Sequence, residues 1–406
     1  MTAPVSTKRR PTMAHPGRAW TALGLGVAAQ TSGTVFVSAP AFLIPLLHTE
    51  RGMSLAQAGL LAAAPTLGMV ITLIAWGALV DCIGEKWVIA GGLALTALAA
   101  AAAIAAQGYV ALGLFLLLGG MTSASTNAAS GRVVVGWFPK DRRGLAMGIR
   151  QMCQPLGVTI AAVTIPTIAS ASGVGAAMLV PLVMTAVFAV ASAVGIKDPP
   201  RAPRPTDAAA TASANPYRSS GFLWRIHAVS ILLVVPQFTL STFGLVWLVA
   251  ELHWPPLAAG VLVGIAQFVG AVGRLFVGVL SDRVGSRVRP LRWVAMAACA
   301  AMLLLAAFDV SFWGAAAVMF VIATTIVVAD NGLAFTSVAE VAGSAWAGRA
   351  LGAQNTGQFL AASVVGPAVG ALIGLVGYPF AFVIVALCPA VAVPLIPGAH
   401  AEHDRL

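Results

Sequence analysis

Long apolar stretches separated by short polar breaks form the dominant pattern along the chain. An apolar stretch of about 18 residues or more is long enough to cross the hydrocarbon core of a bilayer as one helix. The predicted crossings lie at residues 19–47, 54–80, 87–107, 109–138, 144–168, 173–195, 221–250, 256–280, 291–308, 311–339, 350–376 and 378–397. The pattern therefore predicts an all-α membrane protein with twelve transmembrane helices.

One connection between the predicted helices differs from the others in composition. Residues 196–220 are rich in Pro, Ala, Ser and charged residues, which is typical of a flexible linker. This linker divides the chain into an N-terminal six-helix bundle at 1–195 and a C-terminal six-helix bundle at 221–406.

The two predicted bundles resemble each other in sequence. The segment GALVDCIGEK at 77–86 aligns with GVLSDRVGSR at 278–287, and MGIRQMCQPLG aligns with LGAQNTGQFLA. The second alignment also pairs Asn127 with Asn331. An internal repeat of this kind predicts two pseudo-symmetric bundles with a binding site near the midplane between them.

Composition supports a location in the membrane. Hydrophobic residues make up 59% of the chain and charged residues 9%, whereas soluble domains carry about 25% charged residues. The formal net charge of +10 arises from Lys and Arg in short connections, which argues against nucleic-acid binding. The four cysteines are isolated in the sequence and suggest no metal site. HExxH, GxSxG and Walker motifs are missing from the sequence, so neither enzymatic activity nor a cofactor is predicted.

Positive charges in the connections predict the orientation in the membrane. With a cytoplasmic N-terminus, only Arg51 of the connection cations falls on the opposite side. The cations on the cytoplasmic side are Lys86, Lys140, Arg142, Arg143, Lys197, Arg201, Arg204, Arg218, Arg283, Arg287, Arg289, Arg292, Arg349 and Arg405. Because cytoplasmic loops carry an excess of Lys and Arg, both termini and the linker are predicted to be cytoplasmic in a multi-pass plasma-membrane protein.

A ten-residue motif with the pattern GxLxDxxGx[RK] occurs once in each half. Its fixed positions are Gly77, Leu79, Asp81, Gly84 and Lys86 in the first half, and Gly278, Leu280, Asp282, Gly285 and Arg287 in the second. The motif resembles the loop between helices two and three of the major facilitator superfamily, and the resemblance covers essentially the whole chain. It implies a secondary active transporter in which two bundles rock around a central site.

The residue types in the motif suggest a mechanical role. Glycines allow helices to approach closely, and an aspartate can face the N-terminal dipole of a neighbouring helix and an arginine. The motif is therefore predicted to form a gating latch at the cytoplasmic rim. The alternative is an ordinary turn with solvated charges.

Three charged residues stand out within the predicted crossings: Arg150, Arg274 and Asp330. A charge at bilayer depth costs about 2.5 kcal/mol or more, so such residues are candidates for function. The arginines are predicted to bind an anionic substrate, and Asp330 is predicted to couple transport to protons. Alternatively, the arginines extend to the interface or form a permanent ion pair with Asp330.

Uncharged polar residues on the same predicted helices are further candidates for substrate binding. They are Asn127, Gln154, Asn331, Gln354, Asn355 and Gln358. Gln30 and Gln237 either line the same cavity or form hydrogen bonds between neighbouring helices.

The position of Arg274, four residues before the second motif, resembles that of the eighth-helix arginine of monocarboxylate and oxalate/formate-type facilitators. That arginine faces the substrate carboxylate, for which a planar guanidinium is well suited. Drug:proton antiporter branches typically carry an arginine in the fourth helix and GPxxGG in the fifth. The corresponding stretches here read LFLLLGGM and QPLGV.

The function predicted from these features is a proton-coupled symporter or exchanger of a small organic anion, working as a monomer in the lipid bilayer. Two deep arginines against one deep acid favour an anionic substrate. Proton-driven efflux of drug-like or amphipathic compounds is the alternative, and a membrane sensor without transport activity is a third.

Overall fold

The computed structural model of the protein describes residues 16–138, 146, 149–198, 215–219, 221–311 and 313–398. Within these ranges, the side chains at 81, 135, 219, 275, 282, 311, 313, 314, 339, 343–345, 347 and 348 are not described. The described part consists of helices joined by short connections.

The helices follow the apolar stretches of the sequence. In the first half they are α1 (Pro16–Thr49), α2 (Leu55–Ile83), α3 (Glu85–Ala105), α4 (Tyr109–Trp137) and α5 (Cys153–Gly195). A short helix, α6 (Pro216–Ser219), precedes the second half. The second half contains α7 (Phe222–Val246), a π-helical turn (Trp247–Glu251), α8 (Pro256–Val284), α9 (Val288–Ser311), α10 (Trp313–Val327) and α11 (Asn331–Leu395).

Ten segments of the described chain are long and apolar enough to cross a membrane, and two of them are 47 residues long: Ile149–Gly195 and Arg349–Leu395. A straight helix of that length would extend about 70 Å, more than twice the thickness of the hydrocarbon core. Gly173 (φ 82°) and Gly377 (φ 77°) interrupt these segments in the left-handed region, which glycine adopts at little cost. Each long segment therefore crosses twice, and the described segments supply the twelve predicted crossings.

The two halves pack against each other at the end of the molecule opposite the linker. The largest buried apolar cluster contains residues of both halves, including Phe36 and Phe42 from α1 and Phe243 from α7. Buried apolar residues at the linker end instead form separate clusters, each within one half. Among the described residues, the protein is thus closed at one end and separated into two bundles at the linker end.

Glycines bring the two halves into backbone contact at the closed end. A Cβ at Gly366 of α11 would overlap the carbonyl oxygen of Gly59 in α2, and a Cβ at Gly59 would overlap that of Gly366. A Cβ at Gly260 of α8 would likewise overlap the carbonyl oxygen of Ala162 in α5. Backbone at this distance leaves no room for a side chain, so these glycines are required for closure in this conformation.

Replacing Gly366 by alanine is expected to destabilise the closed end by about 1–3 kcal/mol, the usual cost of overpacking. The population with this end open should rise about tenfold. Spin labels at Gln107 and Leu257, in a cysteine-free background, would report it as longer distances between the halves. Gly374→Ala in the same helix is the matched control, because a Cβ there meets nothing within 4 Å. Identical distance distributions in both variants would show that the contact does not hold the end closed.

Most of the predicted linker, residues 199–214 and 220, lies outside the described residues. Its first residues contact the first half: Asp198 Oδ1 accepts a hydrogen bond from the backbone N–H of Lys86 at 2.7 Å. Its last residues contact the second half, where the Tyr217 hydroxyl lies 2.9 Å from His227 Nε2. The described ends of the linker are therefore each held by a different half.

Candidate functional site

A cavity of about 130 Å³ lies between the two halves, large enough for several water molecules or a small solute. Its polar lining comes from both halves: Gln30, Thr34, Ser38, Thr66, Ser123, Thr126, Asn127, Gln154, Gln237, Ser241, Thr242, Gln267 and Arg274. Arg274 is the single charged side chain among the described lining residues. The cavity therefore combines neutral hydrogen-bonding groups with one positive charge.

Arg274 of α8 is held by one nitrogen only. Its Nε donates to the carbonyl oxygen of Val328 at 2.8 Å, and its terminal nitrogens donate to no described residue. That carbonyl is available because residues 328–330 form a turn that separates α10 from α11. The interrupted helix thus fixes the guanidinium while its terminal N–H donors remain available at the cavity wall.

Asp330 lies in the same turn but does not line the cavity. Its side chain is 1% exposed, and neither carboxylate oxygen accepts a hydrogen bond from a described side chain. Arg274 acts on it electrostatically, yet the two side chains are not hydrogen-bonded. A closed ion pair between them is therefore not present in this conformation.

Arg150 lies behind the cavity wall of the first half. Its Nε donates to Ser130 Oγ at 2.9 Å, and its Nη2 donates to the backbone oxygen of Asn127 at 3.3 Å. The Ser130 hydroxyl donates to Gln30 Oε1 at 2.7 Å, and Gln30 Nε2 donates to Asn127 Oδ1 at 2.7 Å. We call these four residues the N-half relay. It connects Arg150 to the cavity through Gln30 and Asn127, which line it.

The second half contains a comparable set of hydrogen bonds. Asn331 Nδ2 donates to Gln237 Oε1 at 3.0 Å, and Gln358 Nε2 donates to Asn331 Oδ1 at 2.9 Å. Gln358 and Gln354 both donate to Ser230 Oγ, at 2.6 and 3.1 Å. Each half therefore joins a glutamine of its first helix to the repeat-related asparagine, Asn127 or Asn331.

The eight predicted substrate-binding residues occupy three kinds of position. Three line the cavity: Asn127, Gln154 and Arg274. Four lie behind its wall in hydrogen-bond networks: Arg150, Asn331, Gln354 and Gln358. Asn355 is half-buried and outside the cavity lining. The structure thus separates the two deep arginines, because one lines the cavity and the other supports its wall.

The predicted gating motif is described in part. Gly84 (φ 92°) and Gly285 (φ 65°) form left-handed turns, where any other residue would be strained. A Cβ at Gly77 or Gly278 would meet nothing within 4 Å, so the close helix contact expected at these glycines is not seen in this conformation. The side chains of the motif aspartates, Asp81 and Asp282, lie outside the described part.

The basic residues that end the two motif copies behave differently. Arg287 forms a two-point ion pair with Glu340 in α11, with its nearest N···O distance at 3.1 Å, and its Nη1 also donates to Ser281 Oγ at 2.8 Å. Lys86 instead places its Nζ 4.8 Å from the centre of the Trp87 ring. The repeat is therefore not symmetric at the rim.

Several polar residues of the site were missed by the sequence analysis: Ser130, Ser230, His227 and Glu340. Helical spacing could have found two of them, since Ser130 follows Asn127 by three residues and Ser230 precedes Gln237 by seven, placing each pair on one helix face. Another buried carboxyl, Asp309, accepts a hydrogen bond from Trp247 Nε1 at 2.9 Å at the closed end. It lies one residue beyond the predicted ninth crossing.

Comparison with known proteins identifies the family. The model of the Major Facilitator Superfamily matches residues 24–365. An uncharacterised MFS-type transporter of Mycobacterium tuberculosis is 47% identical over 381 residues, 94% of this chain and 85% of the relative. A crystal structure of a bacterial homologue of the human lysosomal transporter Spinster, inward-facing and unoccupied, superposes with a TM-score of 0.78 at 14% identity, covering 97% of this chain and 98% of that one.

Two more distant relatives match parts of the chain. The probable chloroplastic anion transporter 3 of rice (Oryza sativa subsp. japonica) is 33% identical over 155 residues, 37% of this chain and 29% of the relative. The hexuronate transporter of Bacillus subtilis is 24% identical over 164 residues, 40% of this chain and 39% of the relative. With the family model and the mycobacterial relative each spanning most of its length, this chain belongs to the Major Facilitator Superfamily and is a multi-pass membrane transporter.

Proposed function

We propose that this transporter carries a small organic anion by alternating access, coupled to protons. The observation that supports this most directly is Arg274, whose terminal guanidinium nitrogens reach the cavity without a partner among the described residues. A guanidinium presents paired donors that match the two oxygens of a carboxylate. No acidic side chain among the described lining residues competes for it.

The distant relatives are consistent with this substrate class. The rice relative is named as a probable anion transporter, and the Bacillus subtilis relative is named as a transporter of hexuronate. Each matches about two fifths of this chain. Efflux of cationic drug-like compounds is less well supported, because a cation would meet one positive charge and no described acid at the cavity wall.

Charge balance suggests how protons take part. With Asp330 ionised, Arg274 supplies a positive charge that compensates it electrostatically. The positive charge of Arg274 would then compensate a bound anion instead of Asp330. The buried carboxylate of Asp330 would be left uncompensated, which costs several kcal/mol. Proton uptake by Asp330 removes that cost. One proton would then accompany one monovalent anion without net charge movement.

The conformation suggests the direction in which the cavity opens. The halves are separated at the linker end and packed together at the other. We infer from the connection cations that the linker end is cytoplasmic, so the structure corresponds to an inward-facing state of a plasma-membrane protein with both termini in the cytoplasm. Because one chain encloses the whole cavity, we also propose that the monomer is the transporting unit.

Binding to the purified protein would test the proposed substrate class. Acetate, pyruvate and glucuronate are expected to raise the unfolding temperature, since a ligand at 100 times its dissociation constant adds about 2.7 kcal/mol to the stability of the folded state. Tetraphenylphosphonium serves as the cationic probe and should have no effect. Stabilisation by the cation and by none of the carboxylates would contradict the proposal and favour efflux of cationic compounds.

A further inference from the structure

The N-half relay has a defined hydrogen-bond direction. Arginine can only donate, so Ser130 Oγ accepts from Arg150 and its hydroxyl proton points away, toward Gln30 Oε1. Gln30 therefore turns its Nε2 toward Asn127 Oδ1. Each dipole of the relay presents its negative end toward the guanidinium, so the charge of Arg150 stabilises this direction over the reverse.

This direction determines which atoms of the N-half relay can form a hydrogen bond with a solute. The side-chain oxygens of Gln30 and Asn127 are both used as acceptors within the relay. Asn127 Nδ2, by contrast, donates to no described residue, and Asn127 lines the cavity. The available group of Asn127 is therefore an N–H donor.

The second half leaves the same kind of group at the cavity. Gln237 Oε1 accepts from Asn331 Nδ2, while Gln237 Nε2 has no partner among the residues that the structure describes. Asn127 Nδ2, Gln237 Nε2 and the terminal nitrogens of Arg274 thus give the cavity wall N–H donors from both halves. The side-chain oxygens of Gln30, Asn127 and Gln237 accept hydrogen bonds internally, so the amide groups that Asn127 and Gln237 leave for a solute are donors.

We propose that the cavity selects a small monocarboxylate with a second acceptor group beside the carboxylate, such as a 2-oxo acid, and that Arg150 is a positioning residue for this selection. The inference rests on the proposed transport of anions and adds the chemistry of the second contact. Arg274 holds the carboxylate, and Asn127, oriented through Ser130 and Gln30, donates to the oxo oxygen. A solute with an ammonium group at that place finds donors where it needs acceptors.

Binding of three probes that differ at one position tests this selection: pyruvate, propionate and alanine. The full-length protein should bind pyruvate more tightly than propionate, which lacks the oxo oxygen, and should bind alanine more weakly than either. Ser130→Ala cuts the relay behind the wall, since Ser130 does not line the cavity. The ratio of pyruvate to propionate affinity should fall about fivefold in this variant, the effect of one hydrogen bond. Ser130→Thr keeps the hydroxyl and should restore the ratio.

The outcomes separate this inference from the proposed function. Equal affinities for pyruvate and propionate, or an unchanged ratio in Ser130→Ala, would overturn the donor selection while anion transport stands. A purely structural role of Ser130 would lower the unfolding temperature of Ser130→Ala and leave the affinity ratio as it is, which also overturns it. If no carboxylate binds the unaltered protein, the proposed function itself fails.

Discussion

Replacing Arg274 by alanine is expected to weaken carboxylate binding by about ten- to a hundredfold, because hydrogen bonds to a charged group contribute about 1.5–3 kcal/mol. Arg274→Lys keeps the positive charge but loses the planar pair of donors, so its affinity should lie between those of the wild type and the alanine variant. Titration calorimetry of the purified proteins with pyruvate would measure all three.

Two controls separate ligand binding from stability in this experiment. Arg283→Ala removes an exposed arginine from the same helix, α8, and should bind as the wild type does. Arg274→Ala combined with Asp330→Asn removes both buried charges, so it should not suffer from an uncompensated carboxylate. Undiminished binding in Arg274→Ala, or binding restored in the double variant, would show that Arg274 serves the structure only.

Asp330→Asn is expected to abolish accumulation driven by a proton gradient while exchange of substrate across the membrane continues. The buried Asp330 carboxyl has no hydrogen bond to a described side chain, so the isosteric amide fits the same space without the titratable proton. Proteoliposomes loaded with substrate would measure exchange, and an imposed pH gradient would measure accumulation.

The combination of results decides the role of Asp330. Loss of both activities together with a lower unfolding temperature would indicate a structural carboxyl. Unchanged accumulation would remove Asp330 from the coupling mechanism. Asp309 provides the matched control: it is the other buried aspartate in the described part, and its carboxyl is held by Trp247 at the closed end. Asp309→Asn should keep gradient-driven accumulation.

The number and order of the crossings could be predicted from the sequence, because burial in a bilayer demands long uninterrupted apolar segments. The breaks near Gly173 and Gly377 were also predicted, although only a few polar or flexible residues separate the two crossings at each of them. The interruption of the tenth crossing at 328–330 was not predicted, because the apolar stretch continues on both sides of it, although Asn331-Gly332 in VVADNG is a turn signal.

The site could be predicted only as a set of residue types. Arg150, Arg274 and Asp330 stood out because charges are costly within apolar segments. Their different positions did not stand out, because lipid and protein interior are both apolar, so the apolar residues of a helix do not show which side meets the cavity. Arg150 and Arg274 therefore looked equivalent in the sequence.

The sequence by itself determined that this protein crosses the membrane twelve times, that its halves are repeats, and that Arg150, Arg274 and Asp330 are its unusual charges within the apolar segments. Local hydropathy and residue order suffice for these conclusions. The tertiary structure decided that Arg274 lines the cavity, that Arg150 acts behind Ser130 and Gln30, and that Gly59 meets Gly366 where the halves close. These relations depend on helix rotation and on the packing of distant segments, which the side chains fix only when all helices are assembled.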